Sequence, residues 1–125
     1  SQKLFDAIYE NIKEDYDKIY YHGLNQEYHL YDDINKKHYL YDFVVSDTKK
    51  CIEFNGWFWH CKPGLFDSNY YNKIKKQHAY EIWDGDRVKH ERICNEGYDL
   101  LVVWEDDYKK NPEKTLNQCL NFLNN

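Results

Sequence analysis

Residues 41–60 read YDFVVSDTKKCIEFNGWFWH, and this stretch decides the fold. The run Tyr39-Leu40-Tyr41-Asp42-Phe43-Val44-Val45 is aromatic and β-branched, and Cys51-Ile52-Glu53-Phe54-Asn55 follows after a polar segment with the composition of a turn. The pattern predicts a β-hairpin. Strand alternation puts Glu53 and Asn55 on one face and Ile52 and Phe54 on the other. If Asp42 lies on the Glu53 face, two carboxylates converge beside the partner strand.

N-terminal to the hairpin, Phe5, Ile8, Tyr9, Ile12, Tyr16 and Ile19 recur at helical spacing, which predicts an amphipathic helix over 2–19, closed by His22-Gly23. Residues 26–31 alternate as a first strand and 32–37 are a polar turn, so three antiparallel strands are expected in succession. C-terminal to the hairpin, Cys61-Lys62-Pro63-Gly64 forces a break, and 65–69 reads as an irregular loop over the sheet. Residues 69–96 read as helical, with Ala79, Ile82, Trp83, Asp86, His90 and Ile93 on one stripe and Asp84-Gly85 as a candidate division. After Gly97, residues 98–104 (YDLLVVW) have the near-continuous apolar pattern of a strand buried on both faces, expected at the centre of the sheet. Asn111-Pro112 caps a closing helix whose stripe is Leu116, Cys119, Leu120 and Leu123. The order α-β-β-β-α-β-α gives a single α/β domain over 1–125, a central mixed sheet flanked by helices, without repeats, low-complexity tracts or linkers.

Composition narrows the function classes. A chain of 125 residues with 42% hydrophobic residues, 13 Tyr, 6 Phe and 4 Trp can bury one core. No run approaches the roughly 20 apolar residues of a membrane span and the Ser1-Gln2-Lys3 start is polar, so a soluble, cytoplasmic protein is expected. Cys51, Cys61, Cys94 and Cys119 are scattered with no CxxC, which points to reduced thiols; neither a disulfide framework nor a structural zinc is expected. The net charge of −5 opposes nucleic-acid binding unless the basic residues cluster or another module supplies the contacts. Local clusters occur at Lys49-Lys50, at 73–76 (KIKK), at 87–92 (RVKHER) and at Lys109-Lys110, and solvated helix or turn faces are the alternative reading of each.

Carboxylates on adjacent strands can share a divalent cation, because hard oxygen ligands suit Mg²⁺ and leave positions open for phosphate and water. Asp42 and Glu53 are the candidates; the alternative is a turn-capping Asp42 and a solvent-facing Glu53. His60 follows Trp57-Phe58-Trp59, and a histidine in that setting is more often a packed residue than a base. Asp86 sits where an apolar residue is expected, so it needs a partner, and a histidine is a natural one.

The segment Asn55-Gly56-Trp57-Phe58-Trp59-His60 resembles the corresponding stretch of very-short-patch-repair endonucleases, and residues 97–105 (GYDLLVVWE) resemble that family's closing strand, with Asp86 on its second acid. These enzymes belong to the PD-(D/E)XK nuclease superfamily, and the set EFNG…WH, D, GY…VVWE is similar to phage homing endonucleases with an E-D-x-H-D signature. The resemblance runs from Gln2 to Glu105 and implies a PD-(D/E)XK-like core. It further implies that Asp42 binds metal, that His60 is the general base for the attacking water, that Asp86 supports His60, and that Asn55 stands where the family has a second active-site histidine. The family's helix-one glutamate falls on Gln2, with Glu10 further along as a substitute, and Glu53 takes the second-carboxylate place of a D…ExK motif with Asn55 at the lysine position. The family's zinc ligands are replaced by Trp57, Lys62 and Gly64.

The resulting expectation is an endonuclease that hydrolyses phosphodiesters of double-stranded DNA with Mg²⁺ or Mn²⁺ held by Asp42 and Glu53, in the host bacterial cytoplasm if the chain is phage-encoded. His60 and Asp86 should lie within hydrogen-bonding reach. Weak DNA binding with little sequence preference is expected, so a homodimer, a separate DNA-binding domain or a larger parent chain would supply the rest. The competing classes are a catalytically inactive nuclease-like module that binds DNA or protein, and a small structural zinc protein. Trp57 and Trp59 are expected to pack in preference to touching DNA.

Overall fold

The computed structural model describes residues 1–125. Its elements are α1 (Gln2–Ile12), β1 (Ile19–Tyr21), β2 (Tyr28–Asp32), β3 (Lys37–Tyr41), β4 (Phe43–Val45), β5 (Lys50–Asn55), β6 (Tyr71–Asn72), β7 (Gln77–His78), α2 (Ala79–Cys94), β8 (Asp99–Trp104), α3 (Glu105–Lys110) and α4 (Pro112–Leu123). A four-stranded mixed sheet runs β1-β4-β5-β8, antiparallel as far as β5 and parallel between β5 and β8, while β2–β3 and β6–β7 form two-stranded ribbons of their own. The fold is therefore α/β, with more elements than the expected α-β-β-β-α-β-α.

Alternation in the β4–β5 hairpin divides the core. Phe43, Val45 and Ile52 face α1 and α4, where Leu4, Phe5, Ile8, Ile12, Cys119 and Leu123 meet them. Val44 and Cys51 face the opposite way, against Ile93 of α2 and the ribbon residues Tyr39 and Tyr41. Fully burying each such Leu, Ile, Val or Phe side chain stabilises the fold by roughly 1.5–3 kcal/mol. No helix is long and apolar enough to cross a membrane.

Several sequence expectations are corrected. The apolar stripe does not carry one helix to Ile19: α1 stops at Ile12, and Asp47 accepts the N–H groups of Asp17 and Lys18 at 3.1 and 2.7 Å, turning the chain into β1. Ile19 and Tyr21 are buried as alternate residues of a strand; Ile19 had fitted the helical stripe only because it lies three residues after Tyr16. The run 39–45 is not one strand either. It breaks at Asp42, so β3 pairs only with β2 while β4 pairs with β1 and β5, and three successive antiparallel neighbours do not form.

The segment 69–96 begins as the β6–β7 ribbon, and the helix, α2, starts at Ala79 and passes unbroken through Asp84-Gly85. β8 lies at the edge of the sheet, with β5 its only neighbour. Nor is it buried on both faces: α2 covers one side and α4 the other, but within the strand only Val103 is fully buried, so an apolar run marks neither full burial nor a central position.

Contrary to the expectation of a sequence without repeats, the chain contains a short recurrence. Tyr31-Asp32-Asp33-Ile34-Asn35-Lys36-Lys37-His38 and Tyr71-Asn72-Lys73-Ile74-Lys75-Lys76-Gln77-His78 share a Tyr-Asx-x-Ile-x-Lys-x-His frame, and each makes a ribbon tip. In both, the Asx side chain accepts the N–H groups two and three residues on at 3.0–3.1 Å, and the lysine takes a left-handed conformation (φ 54° and 56°). In both, tyrosine and histidine stand opposite each other, with ring centroids 4.7 and 5.1 Å apart.

Candidate active site

Asp42 is the joint at which the chain leaves one sheet for another. Beyond the Phe43–Ile52 pair the antiparallel ladder ends, and side chains replace the missing backbone partners. Asp42 Oδ2 accepts the Phe54 N–H at 2.8 Å, and Glu53 Oε2 accepts the Asp42 N–H at 2.7 Å. Each carboxylate thus caps the other's strand. Glu53 is 2% exposed, which rules out the solvent-facing alternative, and its Oε1 lies 2.6 Å from Lys89 Nζ on α2. Burial, and then the charge of Asp42, push the Glu53 carboxyl up to about 7, against the opposing pull of Lys89 and the Asp42 amide.

Two residues further along β5, and about 6.6 Å away on the same face, Asn55 opens onto a second cluster. Here a cleft of about 420 Å³ is lined by Asn55, His60, Trp83, Asp86, His90 and Trp104, among others. His60 Nδ1 and Asp86 Oδ2 are 2.9 Å apart, and each side chain is 24% exposed. The carboxylate accepts, so Nδ1–H donates and the neutral imidazole keeps Nε2 free as a proton acceptor.

The backbone that places His60 is pinned on both sides. His60 N–H returns to Gly56 O at 3.0 Å and Lys62 N–H to Trp57 O at 2.8 Å, with Cys61 left-handed between them (φ 48°). Cys61 is buried against Ala79 and Ile82, and Trp83 Nε1 donates to its carbonyl at 2.7 Å, fixing the turn to α2 one helical turn before Asp86. Nearby, burial lowers the His90 imidazole below its ordinary value, against the pull of Asp86. His90 therefore favours its neutral form beside the His60–Asp86 pair.

The structure brings Asp42 together with Glu53, and Asn55 and His60 together with Asp86. Gln2 lines a surface groove with Asp42, Glu27 and Ser1, while its amide contacts Asp6 at 3.3 Å. Glu10 is elsewhere: it sits at the far end of α1, paired with Lys13 at 2.8 Å. The expected packing of Trp57 and Trp59 is only partial: Trp57 stacks on Phe66 with ring centroids 6.1 Å apart yet is 39% exposed, and Trp59 is 48% exposed beneath the Lys75 ammonium. Sequence reasoning missed Lys89 and His90. Both fall in the basic-looking run 87–92, and the only available signal was that they lie three and four residues after Asp86, on the helix side that Asp86 already marks.

Asp42 Oδ1 has no protein partner, and Glu53 stands next to it with both oxygens engaged. Of the two carboxylates, only Asp42 therefore has an oxygen open to a hard cation such as Mg²⁺ or Mn²⁺, which accepts one or two carboxylates and fills its other positions with water and substrate oxygens. No group of three or more His, Cys, Asp and Glu side chains is gathered to hold a metal. Comparison with protein-family models, with curated proteins and with solved structures gives no match.

Proposed function

We propose that this chain is a metal-dependent endonuclease core that hydrolyses phosphodiester bonds of double-stranded DNA, with a PD-(D/E)XK-like arrangement similar to that of very-short-patch-repair enzymes. The observation that carries the reading is the 2.9 Å His60–Asp86 contact at a cleft on the sheet face that also holds Glu53 and Asn55. A base with a free nitrogen, oriented by a carboxylate beside a carboxylate pair, is the equipment of hydrolysis.

Asp42, with Glu53 beside it, would hold the divalent cation, which when bound polarises the phosphate and lowers the pKa of water. His60 Nε2 takes a proton from the attacking water, whose oxygen forms a bond to phosphorus as one P–O ester bond breaks; the departing oxygen takes a proton from solvent water, and His60 returns its own to solvent. Asp86 keeps Nδ1 protonated and stabilises the imidazolium formed in that step. Asn55, with a donor and an acceptor, orients groups entering the cleft. Lys89 offsets the buried charge of Glu53.

Two observations favour a second reading, an inactive nuclease-like binding module: Lys89 already neutralises Glu53, and Gln2 stands where the very-short-patch-repair enzymes have glutamate. Incubation with supercoiled plasmid decides between them. Nicked or linear product that requires Mg²⁺, disappears with chelator and is lost in His60→Ala supports the nuclease; intact plasmid under all conditions supports the binding module.

A further inference from the structure

The chain is acidic, yet its acids are unevenly placed. Across residues 54–80 Asp67 is the only carboxylate, against Lys62, Lys73, Lys75 and Lys76, and Trp57, Trp59, Tyr70, Tyr71 and Tyr80 lie in the same span. The β6–β7 ribbon gathers three of these lysines at one tip. Its turn is fixed from within: Asn72 is fully buried, its Oδ1 accepts the N–H groups of Ile74 and Lys75 at 3.0 Å, and its Nδ2 reaches Phe58 O at 3.5 Å. At the ribbon's base the Ala79 N–H returns to Tyr70 O at 2.8 Å and the Tyr80 N–H to Ser68 O at 3.1 Å.

This rigid frame presents Ile74, 67% exposed, between Lys73 and Lys75. Lys75 Nζ lies 5.2 Å from the centre of the Trp59 ring and 3.4 Å from Trp59 O, so the tip is seated on the turn that carries His60. An apolar side chain held out in water between ammonium groups stabilises nothing in the isolated chain. It suits a duplex, where lysines meet phosphates and an apolar side chain enters a groove against sugars and base edges.

The β2–β3 ribbon supplies an internal comparison. It has the same turn and an even more exposed tip isoleucine, Ile34 at 91%, but Asp33 and Asn35 stand where the second ribbon has Lys73 and Lys75. The frame alone does not make a basic tip; substitution at two of its positions does.

We infer that the β6–β7 ribbon is a binding site for the sugar–phosphate backbone of duplex DNA, with Lys73, Lys75 and Lys76 on phosphates and Ile74 in a groove, delivering the strand to the adjoining His60 cleft. The inference rests on the nuclease reading for its ligand class, and binding is measured apart from cleavage so that the two fail separately.

The test is fluorescence anisotropy of a labelled 30-base-pair duplex with the full chain in chelator, over a range of salt concentrations. Each phosphate contact contributes about 0.9 to the slope of log affinity against log salt. The K73A/K75A/K76N variant, with asparagine at the left-handed position to preserve the turn, should flatten that slope by about 2–3 and weaken binding roughly tenfold or more at low salt. K36N/K37A in the other ribbon should leave both unchanged, and Ile74→Ala should weaken binding without altering the slope. An affinity and slope in K73A/K75A/K76N equal to the wild type overturn the ribbon site, as does binding to polyglutamate as tight as to the duplex, or no salt-dependent binding by the wild type. Plasmid cleavage run in parallel judges the nuclease reading on its own: cleavage retained with ribbon-independent binding sinks only the ribbon site.

Discussion

Asp42 and Glu53 are tied into the backbone, each carboxylate accepting an amide from the other's strand at 2.7–2.8 Å, and Glu53 is further closed off by Lys89. His60 and Asp86 are tied to each other, half-buried in an open cleft, with no strand depending on either side chain. The first pair is part of the architecture and the second is mounted on it. Substitution in the first should therefore disturb fold and chemistry together, and substitution in the second should disturb chemistry alone.

Asp42→Ala should show the largest effect. It removes the acceptor for the Phe54 N–H, which costs about 1–3 kcal/mol of stability in denaturant unfolding, and it should abolish both cleavage and Mn²⁺ binding. A variant that unfolds like the wild type and still binds Mn²⁺ would erase the contrast between the two pairs. Next comes His60→Ala, expected to slow plasmid cleavage by about 10²–10⁴ while stability stays within about 0.5 kcal/mol and Mn²⁺ binding is retained. Cleavage at the normal rate would return His60 to a packing role. Asp86→Asn should slow the reaction by a smaller factor, because the base remains and only its orientation and charge support are lost.

The smallest effect concerns stability against pH. The raised Glu53 carboxyl contributes stability that is present below its ordinary value of 4.5 and is lost as pH rises through about 7. Glu53→Gln keeps an acceptor for the Asp42 amide but cannot ionise, so wild-type stability relative to this variant should fall between pH 4.5 and 7, by no more than about 3 kcal/mol. His90, lowered by burial, acts in the opposite direction in both proteins and cancels in the difference. A flat difference in urea unfolding, measured in chelator, would show that Glu53 ionises as it does in the unfolded chain.

The hairpin, the Asp86 stripe, the Asn111 cap and the proximity of His60 to Asp86 were legible because each follows from local period or from a carboxylate needing a partner. The break at Asp42 was not. Nothing in the run 39–45 marks it, since an aspartate that replaces a ladder acceptor looks like an aspartate on a strand. The β6–β7 ribbon escaped because its turn uses Asn72 and a left-handed Lys76 where glycine or proline would have announced it, and KIKKQ suits a helix by composition. The edge position of β8 was hidden because partial cover by helices on both sides leaves the same apolar run as a place between strands.

The parallel pairing of β5 with β8 also governs how the chain assembles. Asp42 and Glu53 are 11 positions apart and meet as soon as the hairpin closes, whereas Lys50 and Asp99, joined at 2.8 Å along the β5–β8 ladder, are separated by 49. Closing the longer connection carries the greater loss of chain entropy, and contacts across such spans slow folding. Lys89 reaches Glu53 only with the docking of α2, which lies within that connection. In any conformation with the hairpin closed and α2 undocked, the two carboxyl groups stand side by side without the Lys89 ammonium, so docking of α2 supplies the charge that offsets the desolvation of Glu53.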